Sequence, residues 1–208
     1  MQALINAGGK GTRMGACGIE KPMHIIGGKP VVRNVVDALS GSKNIDKILV
    51  SVSGNTPETE RYLKDIGVET IRTSGEDFVE DLHRSFSILE GRFILTCPSD
   101  LPCINTKDMD KFIAAFDEKK MESLIALVEK KAYEKLNIKP SYTRDYYGST
   151  CVVSGVSIMD REKTLNGVYL NESFFETDCK GFAINVNTQE ELEQAREIVD
   201  QAGAYTGA

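Results

Sequence analysis

An α/β fold, built on a mostly parallel central sheet with helices on both faces, is predicted by three observations. Short apolar runs of strand length alternate with stretches whose apolar residues recur at helical spacing. The chain has 208 residues, 41% of them hydrophobic, enough for a substantial core. No internal repeat, low-complexity tract or linker divides it, so residues 1–208 are expected to form one domain.

The elements follow in order. Ala3–Asn6 reads as a buried strand. Pro30 suits the first turn of a helix, after which Val32, Val35, Val36 and Leu39 share one face. Lys47–Val52 is a strand, and Thr56-Pro57 opens a helix carrying Leu63 and Ile66. Val68–Arg72 is a strand, followed by a helix with Phe78, Leu82, Phe86 and Leu89 in register. Arg92–Cys97 is a strand, Met109, Phe112, Ile113 and Phe116 mark a helix, and Leu124–Val128 is a strand. Cys151–Met159 is a strand interrupted by Gly155. Phe182–Val186 is expected to be the last strand, feeding a helix opened by a Thr188…Glu191 capping box and closed near Gly203. Repeated β-α-β units give parallel neighbours, and ligands then bind beyond the carboxyl ends of the strands. The glycine loop after Asn6, Ser53–Asn55, Thr73-Ser74, Asp100 and Asn187 all fall at that edge.

That glycine loop carries the chemistry. Gly8, Gly9 and Gly11 let main-chain N–H groups approach an anion without a Cβ in the way, while Lys10, Arg13 and, further on, Lys21-Pro22 add positive charge. Ala7 and Thr12 flank the glycines and complete the nucleotide-binding segment. The spacing is not that of a P-loop, Gly-x-x-x-x-Gly-Lys-Ser/Thr, because the order here is Gly9-Lys10-Gly11-Thr12, with a glycine between the lysine and the threonine. Nor is it the dinucleotide fingerprint, since Met14 stands where its third glycine belongs.

The net charge of −6 disfavours nucleic acid and anionic membranes as partners, and no apolar run reaches signal-peptide or membrane length. Five cysteines without Cys-x-x-Cys spacing (Cys17, Cys97, Cys103, Cys151 and Cys179) point to reduced thiols in a cytoplasmic protein. Cys97 reads as core, and Cys17, beside the loop, is given no role. His24 and His83 read as structural. Lys130–Tyr147 holds four of the seven tyrosines, Tyr133, Tyr142, Tyr146 and Tyr147. Two readings stand there: an aromatic lid for a large acceptor, and a mobile surface loop with tyrosines packed on the sheet edge.

The opening Gly8-Gly-Lys-Gly-Thr-Arg-Met14, followed by Lys21-Pro22, resembles nucleotidyltransferases of the molybdenum-cofactor guanylyltransferase-like superfamily. Ile19–Pro22, Ser53–Pro57 and Thr73–Leu82 are similar to stretches in its archaeal adenosylcobinamide-phosphate guanylyltransferase branch, and Ile184–Leu192 is shared more widely. The resemblance implies a single-domain, Rossmann-like nucleotidyltransferase fold, with GTP and a phosphorylated small molecule, a corrinoid first, as substrates. Molybdopterin and sugar 1-phosphates are the alternative acceptors, and a nucleotide-binding regulator without turnover is the alternative of another class. A monomer or homodimer is expected.

Nucleotidyl transfer needs alignment and charge neutralisation more than a base, because the attacking phosphate is already anionic. Arg13, Lys21 and Asp100 are the expected catalytic groups. Lys10 and Arg13 face the departing pyrophosphate, and the resemblance places Lys21 near the α-phosphate and gives Asp100 to Mg²⁺. Asn187, with Asn185 next, is the expected second metal ligand; an N-cap is its structural alternative. Ser53, Asn55 and Thr73 are placed around the base. Glu80 and Asp81 are the acidic candidates for guanine, at most one of which can face it, since adjacent helical residues diverge.

Overall fold

The structure, a computed structural model, describes residues 1–14, 18–136 and 143–204, without the side chains of Lys135 and residues 201–204. The first strand, β1 (Gln2–Asn6), is central. Its parallel neighbours are β4 (Lys47–Val52) and β6 (Phe93–Pro98), and β5 (Glu69–Arg72) pairs in parallel outside β4. Beyond β6 the direction changes. β9 (Ser149–Asp160) runs antiparallel to both β6 and β7 (Ser123–Glu129), while β10 (Glu172–Thr177) is again parallel to β7. The resulting order is β5-β4-β1-β6-β9-β7-β10, with β8 (Thr143–Tyr146) paired to β9 as a hairpin. A small ribbon, β2 (Ile25–Ile26) with β3 (Lys29–Pro30), lies apart from this sheet.

Strand periodicity sends alternate residues of β1 to opposite faces. Ala3 and Ile5 join the larger core with Val32, Val35, Val36 and Leu39 of α1 (Val31–Ser40), Met109 and Phe112 of α4 (Thr106–Ala114), and Leu192 of α8 (Gln189–Ala204). Leu63 of α2 (Pro57–Asp65) belongs to the same core. Leu4, with Leu49 and Ile94, joins a smaller core under Leu82 and Phe86 of α3 (Phe78–Ile88), with Leu89 at that helix's end. Each large side chain so buried contributes about 1.5–3 kcal/mol. Shorter helices α5 (Lys130–Leu136), α6 (Arg161–Leu165) and α7 (Lys180–Ala183) complete the fold.

The expected α/β architecture, mostly parallel with helices on both faces, is therefore present. Two element assignments change. Phe182–Val186 is not a strand: Phe182 and Ala183 finish α7, and Ile184 and Val186 continue without entering a ladder. Their burial comes from packing beneath the site, with Gly181 against the backbone of Cys103 and Ile104. A short apolar run cannot distinguish those cases by periodicity. The final strand is instead β10, whose sequence Glu-Ser-Phe-Phe-Glu-Thr hid as an edge segment. Within Lys130–Tyr147 the described residues form elements where a surface loop was one expectation, while the expected packing of a tyrosine on the sheet edge is present. The segment supplies α5, with Tyr133 buried, and β8, whose Tyr146 packs edge-on against Phe174 with ring centroids 4.8 Å apart. Tyr142 and Cys17 lie outside the described residues.

Candidate active site

Because β1, β4, β5 and β6 are parallel, the segments leaving them gather at one edge of the sheet. A cavity of about 260 Å³ opens there, and Lys10, Gly11, Arg13, Lys21, Asp100 and Asn187 all line it. Five of these come from three distant stretches of sequence that spacing alone placed at this edge. Three cations face a single carboxylate, so the cavity is locally positive within an acidic chain.

Lys21 is the centre of the arrangement. Its ammonium is hydrogen-bonded to Asp100 Oδ2 and, at 2.8 Å, to Asn187 Oδ1. Arg13 Nη2 donates to the same Asn187 oxygen at 2.8 Å. The acceptors are themselves held. Ser99 N–H donates to the Asn6 carbonyl at the end of β1, and Val186 N–H to the Asp100 carbonyl, which stitches the Asp100 turn between β1 and the approach to α8. Asn187 is set by the capping box: its N–H donates to Glu191 Oε2 at 2.6 Å, as does that of Thr188 at 3.0 Å, and the Thr188 hydroxyl accepts from Glu191 N–H. The cap of α8 is thus Thr188 rather than Asn187, whose side-chain oxygen is given to Lys21 and Arg13.

Among the described residues no cluster of three or more His, Cys, Asp or Glu side chains stands ready for a metal. One carboxylate and one amide oxygen do converge on one cation, the Lys21 ammonium, which stands in for a positive ion between them. Such a pair suits a hard ion like Mg²⁺ that retains waters and takes further oxygens from substrate phosphates.

The residue before Lys21 is anchored to α2. The carboxylate of Glu20 accepts from Glu58 N–H and Thr59 N–H, both at 2.7 Å, and from the Thr59 hydroxyl at 2.6 Å. It caps α2, satisfying two of the donors that a helix start leaves open and meeting the positive end of its dipole. Gly11 has φ +60°, a conformation that favours glycine, and a Cβ there would stand 3.3 Å from Lys21 Cβ.

On the side of β4 and β5, the Gly8 carbonyl accepts from the Ser53 hydroxyl at 2.6 Å and from Asn55 Nδ2 at 3.4 Å. Gly75, with φ +69°, closes over them: a Cβ there would lie 2.6 Å from Ser53 Oγ and 2.7 Å from the Gly8 carbonyl oxygen. The turn carrying Gly75 is held by Asp81, which accepts from Ser74 N–H, the Ser74 hydroxyl and Gly75 N–H at 2.7–2.9 Å. Burial raises the Asp81 pKa, but these hydrogen bonds outweigh it and leave the carboxyl below its usual value. From the same turn, Glu76 reaches Lys10 at 2.5 Å.

The expected site residues therefore divide. Ala7, Gly9, Lys10, Gly11, Thr12, Arg13, Lys21, Asp100 and Asn187 line one cavity. Gly8, Ser53, Asn55 and Thr73 lie behind it as a scaffold; Gly8, Ser53 and Thr73 are buried, and Thr73 N–H bonds the Val52 carbonyl. The two acidic candidates differ: Glu80 is exposed on α3, whereas the Asp81 carboxylate is occupied by Ser74 and Gly75. Sequence reading missed Asn6 and Ser99, which line the cavity, Glu76, which pairs with Lys10, and Glu20, which precedes Lys21 and caps α2. Asn6 had a signal, as a polar residue ending an apolar strand immediately before the glycines. Glu20 and Glu76 had none, since their partners are 38 or more residues away.

The remaining titratable candidates are structural. His24 is buried, and burial, then Arg196, lowers its pKa. Burial pushes the Cys97 thiol far above its ordinary range. Among the described residues no helix is long and apolar enough to cross a membrane.

Residues 3–152 match the family model described as the MobA-like NTP transferase domain. The chain is 30% identical to the adenosylcobinamide-phosphate guanylyltransferase of Methanocaldococcus jannaschii, over 98% of this chain and all of that one. Among solved structures, the CMP:2-keto-3-deoxy-manno-octonic acid synthetase in complex with CTP superimposes with a TM-score of 0.74 at 16% identity, over 97% of this chain and 98% of the other. A nucleotidyl transfer enzyme from Methanothermobacter gives 0.70 at 17% identity, over 97% and 98%. At those identities the two structures establish the fold.

Proposed function

We propose that this chain, which belongs to the MobA-like NTP transferase family and is a nucleotidyltransferase, transfers GMP from GTP to adenosylcobinamide phosphate, releasing pyrophosphate. The chemistry rests on one observation: Arg13, Lys21, Asp100 and Asn187, joined by hydrogen bonds, line the same cavity as the Lys10–Thr12 loop. The acceptor rests on the archaeal relative.

In the reaction an acceptor phosphate oxygen bonds to the α-phosphorus while the bond from that phosphorus to the bridging oxygen breaks, and the electron pair leaves with pyrophosphate. The acceptor oxygen is already anionic, so no residue need remove its proton. Loop N–H groups and Lys10 hold the β- and γ-phosphates. Arg13, fixed at one end by Asn187, offers its remaining donors to the leaving group. Lys21 neutralises charge that builds on the α-phosphate, and its two partners hold its long side chain in one place before substrate arrives. Mg²⁺, held by Asp100 and Asn187 together with phosphate oxygens, would supply further charge neutralisation.

The test is pyrophosphate release from each nucleoside triphosphate against a panel of adenosylcobinamide phosphate, molybdopterin and sugar 1-phosphates. GTP with the corrinoid should be fastest. Activity confined to a sugar phosphate or molybdopterin overturns the acceptor, and GTP binding without transfer to any of them favours a regulator.

A further inference from the structure

We infer that Glu20 is a positioning residue for the transfer step: it acts through Lys21 by tying that lysine's backbone to the first turn of α2. The inference deepens the proposed guanylyl transfer and rests on it.

The geometry is specific. Both carboxylate oxygens of Glu20 are engaged, Oε1 by Glu58 N–H and Oε2 by Thr59 N–H and Thr59 Oγ1. Its carbonyl accepts from Met23 N–H at 2.8 Å, closing the single helical turn Lys21–Met23. Lys21 is therefore bracketed between an anchored residue and a rigid turn that contains Pro22. A lysine side chain has four rotatable bonds, and ordering it opposes the contacts it makes. Fixing its Cα narrows the volume the ammonium must search between Asp100 and Asn187.

The anchor has a second consequence. α2 begins just after Ser53-Gly54-Asn55-Thr56, and Ser53 and Asn55 donate to the Gly8 carbonyl. Glu20 thus joins the lysine to the helix whose entry also seats the glycine loop. Phosphate cradle and lysine are referenced to one rigid element, which keeps their spacing constant to the tolerance that transfer demands.

The charge is needed as well as the shape. Glutamine at position 20 has one acceptor oxygen where three donors now converge, and it lacks the negative charge that suits a helix start. Aspartate keeps the charge but is one methylene too short.

The experiment uses the full chain with GTP and the acceptor that the panel selects. Glu20→Gln should lower kcat about tenfold and leave KM for GTP within about twofold, the pattern of an interaction felt at the transition state. Thr59→Val removes one of the three donors while leaving the carboxylate, and should give a smaller fall in the same direction. In a Lys21→Ala background, Glu20→Gln should cost nothing further on the residual rate, because its effect passes through that lysine. A second arm needs no substrate. Acetylation of Lys21 by acetic anhydride, followed by peptide mass spectrometry on folded protein, should be several-fold faster in both Glu20→Gln and Thr59→Val.

Unchanged kcat with a lowered Tm would make Glu20 a helix cap alone and overturn the inference, as would equal losses in the Lys21 and Lys21→Ala backgrounds. A wild-type chain inert toward every acceptor would count against guanylyl transfer instead. The labelling arm would still decide on Glu20: unchanged Lys21 reactivity in both variants overturns its positioning role.

Discussion

Two lysines line the cavity, and each is paired with an acid from another part of the chain. Lys21 and Asp100 meet with 18% and 12% of their side chains exposed, whereas Lys10 and Glu76 are 49% and 64% exposed. The first pair is reinforced by Asn187, Asn185 and Arg13. The second lies open to solvent. Near the surface an ion pair is worth about 0.2–1 kcal/mol, while charges withdrawn from water interact more strongly and leave a larger penalty when one is removed. One cavity thus holds a lysine bound by several partners and largely withdrawn from solvent, and another on the glycine loop in an exposed pair.

The contrast is broken most directly at the fixed end. Asp100→Ala and Lys21→Ala should each reduce kcat by about 10²- to 10³-fold at saturating Mg²⁺, the scale for losing one preorganised electrostatic partner. Single-turnover kinetics checks this, and an unchanged rate for Asp100→Ala removes it from the transfer step. Gly75→Ala asks whether the turn bearing Glu76 is as rigid as its packing implies. Positive φ and contacts of 2.6–2.7 Å leave no room for the methyl. GTP affinity, measured by calorimetry, should fall about tenfold, from strain of at least about 1 kcal/mol plus displacement of Ser53 and Gly8.

A smaller effect is expected at Asp81. Its folded-state pKa is lowered, so its stabilisation is fully present above the ordinary aspartate pKa and is lost as pH falls through the folded value. Asp81→Asn should lower Tm at neutral pH, with the gap to wild type closing in acid; a gap independent of pH would contradict the assignment. Smallest is Glu76→Gln, which frees Lys10 for phosphate. KM for GTP should drop by up to about fivefold at low salt and less at high salt, with kcat unchanged. A raised KM would show that Glu76 helps hold the nucleotide.

The same contrast marks how much was legible beforehand. The half from β1 to β6 follows local rules. Its strands are apolar runs, its helices have clean faces, and the loop chemistry of Gly8–Arg13 is contiguous. Asp100 was legible because it follows β6, Asn187 because it precedes the capping box of α8, and Lys21 because its Lys-Pro pair matches the family motif. What was hidden depends on partners distant in sequence. Asp81 looks like a base-reading acid until Ser74 and Gly75 are seen folded onto it, and Glu20 looks like solvent-facing charge until α2 arrives above it. Phe78 fits the helical period yet is 65% exposed, because the smaller core ends at Leu82. In the other half, Phe182–Val186 is apolar for packing rather than pairing, and β10 alternates too weakly to declare itself.

The two halves of the sheet meet along a narrow seam. β9 has twelve residues, yet its pairing with β6 covers only Ser157–Asp160, opposite Phe93–Thr96. At Gly155, whose φ is +85° and whose missing Cβ would press on Pro98, the strand changes course, and the remainder belongs with β7 and β8. A change of length or composition in the β8–β9 hairpin therefore meets β7 first, and reaches β6 only through the four residues beyond Val156.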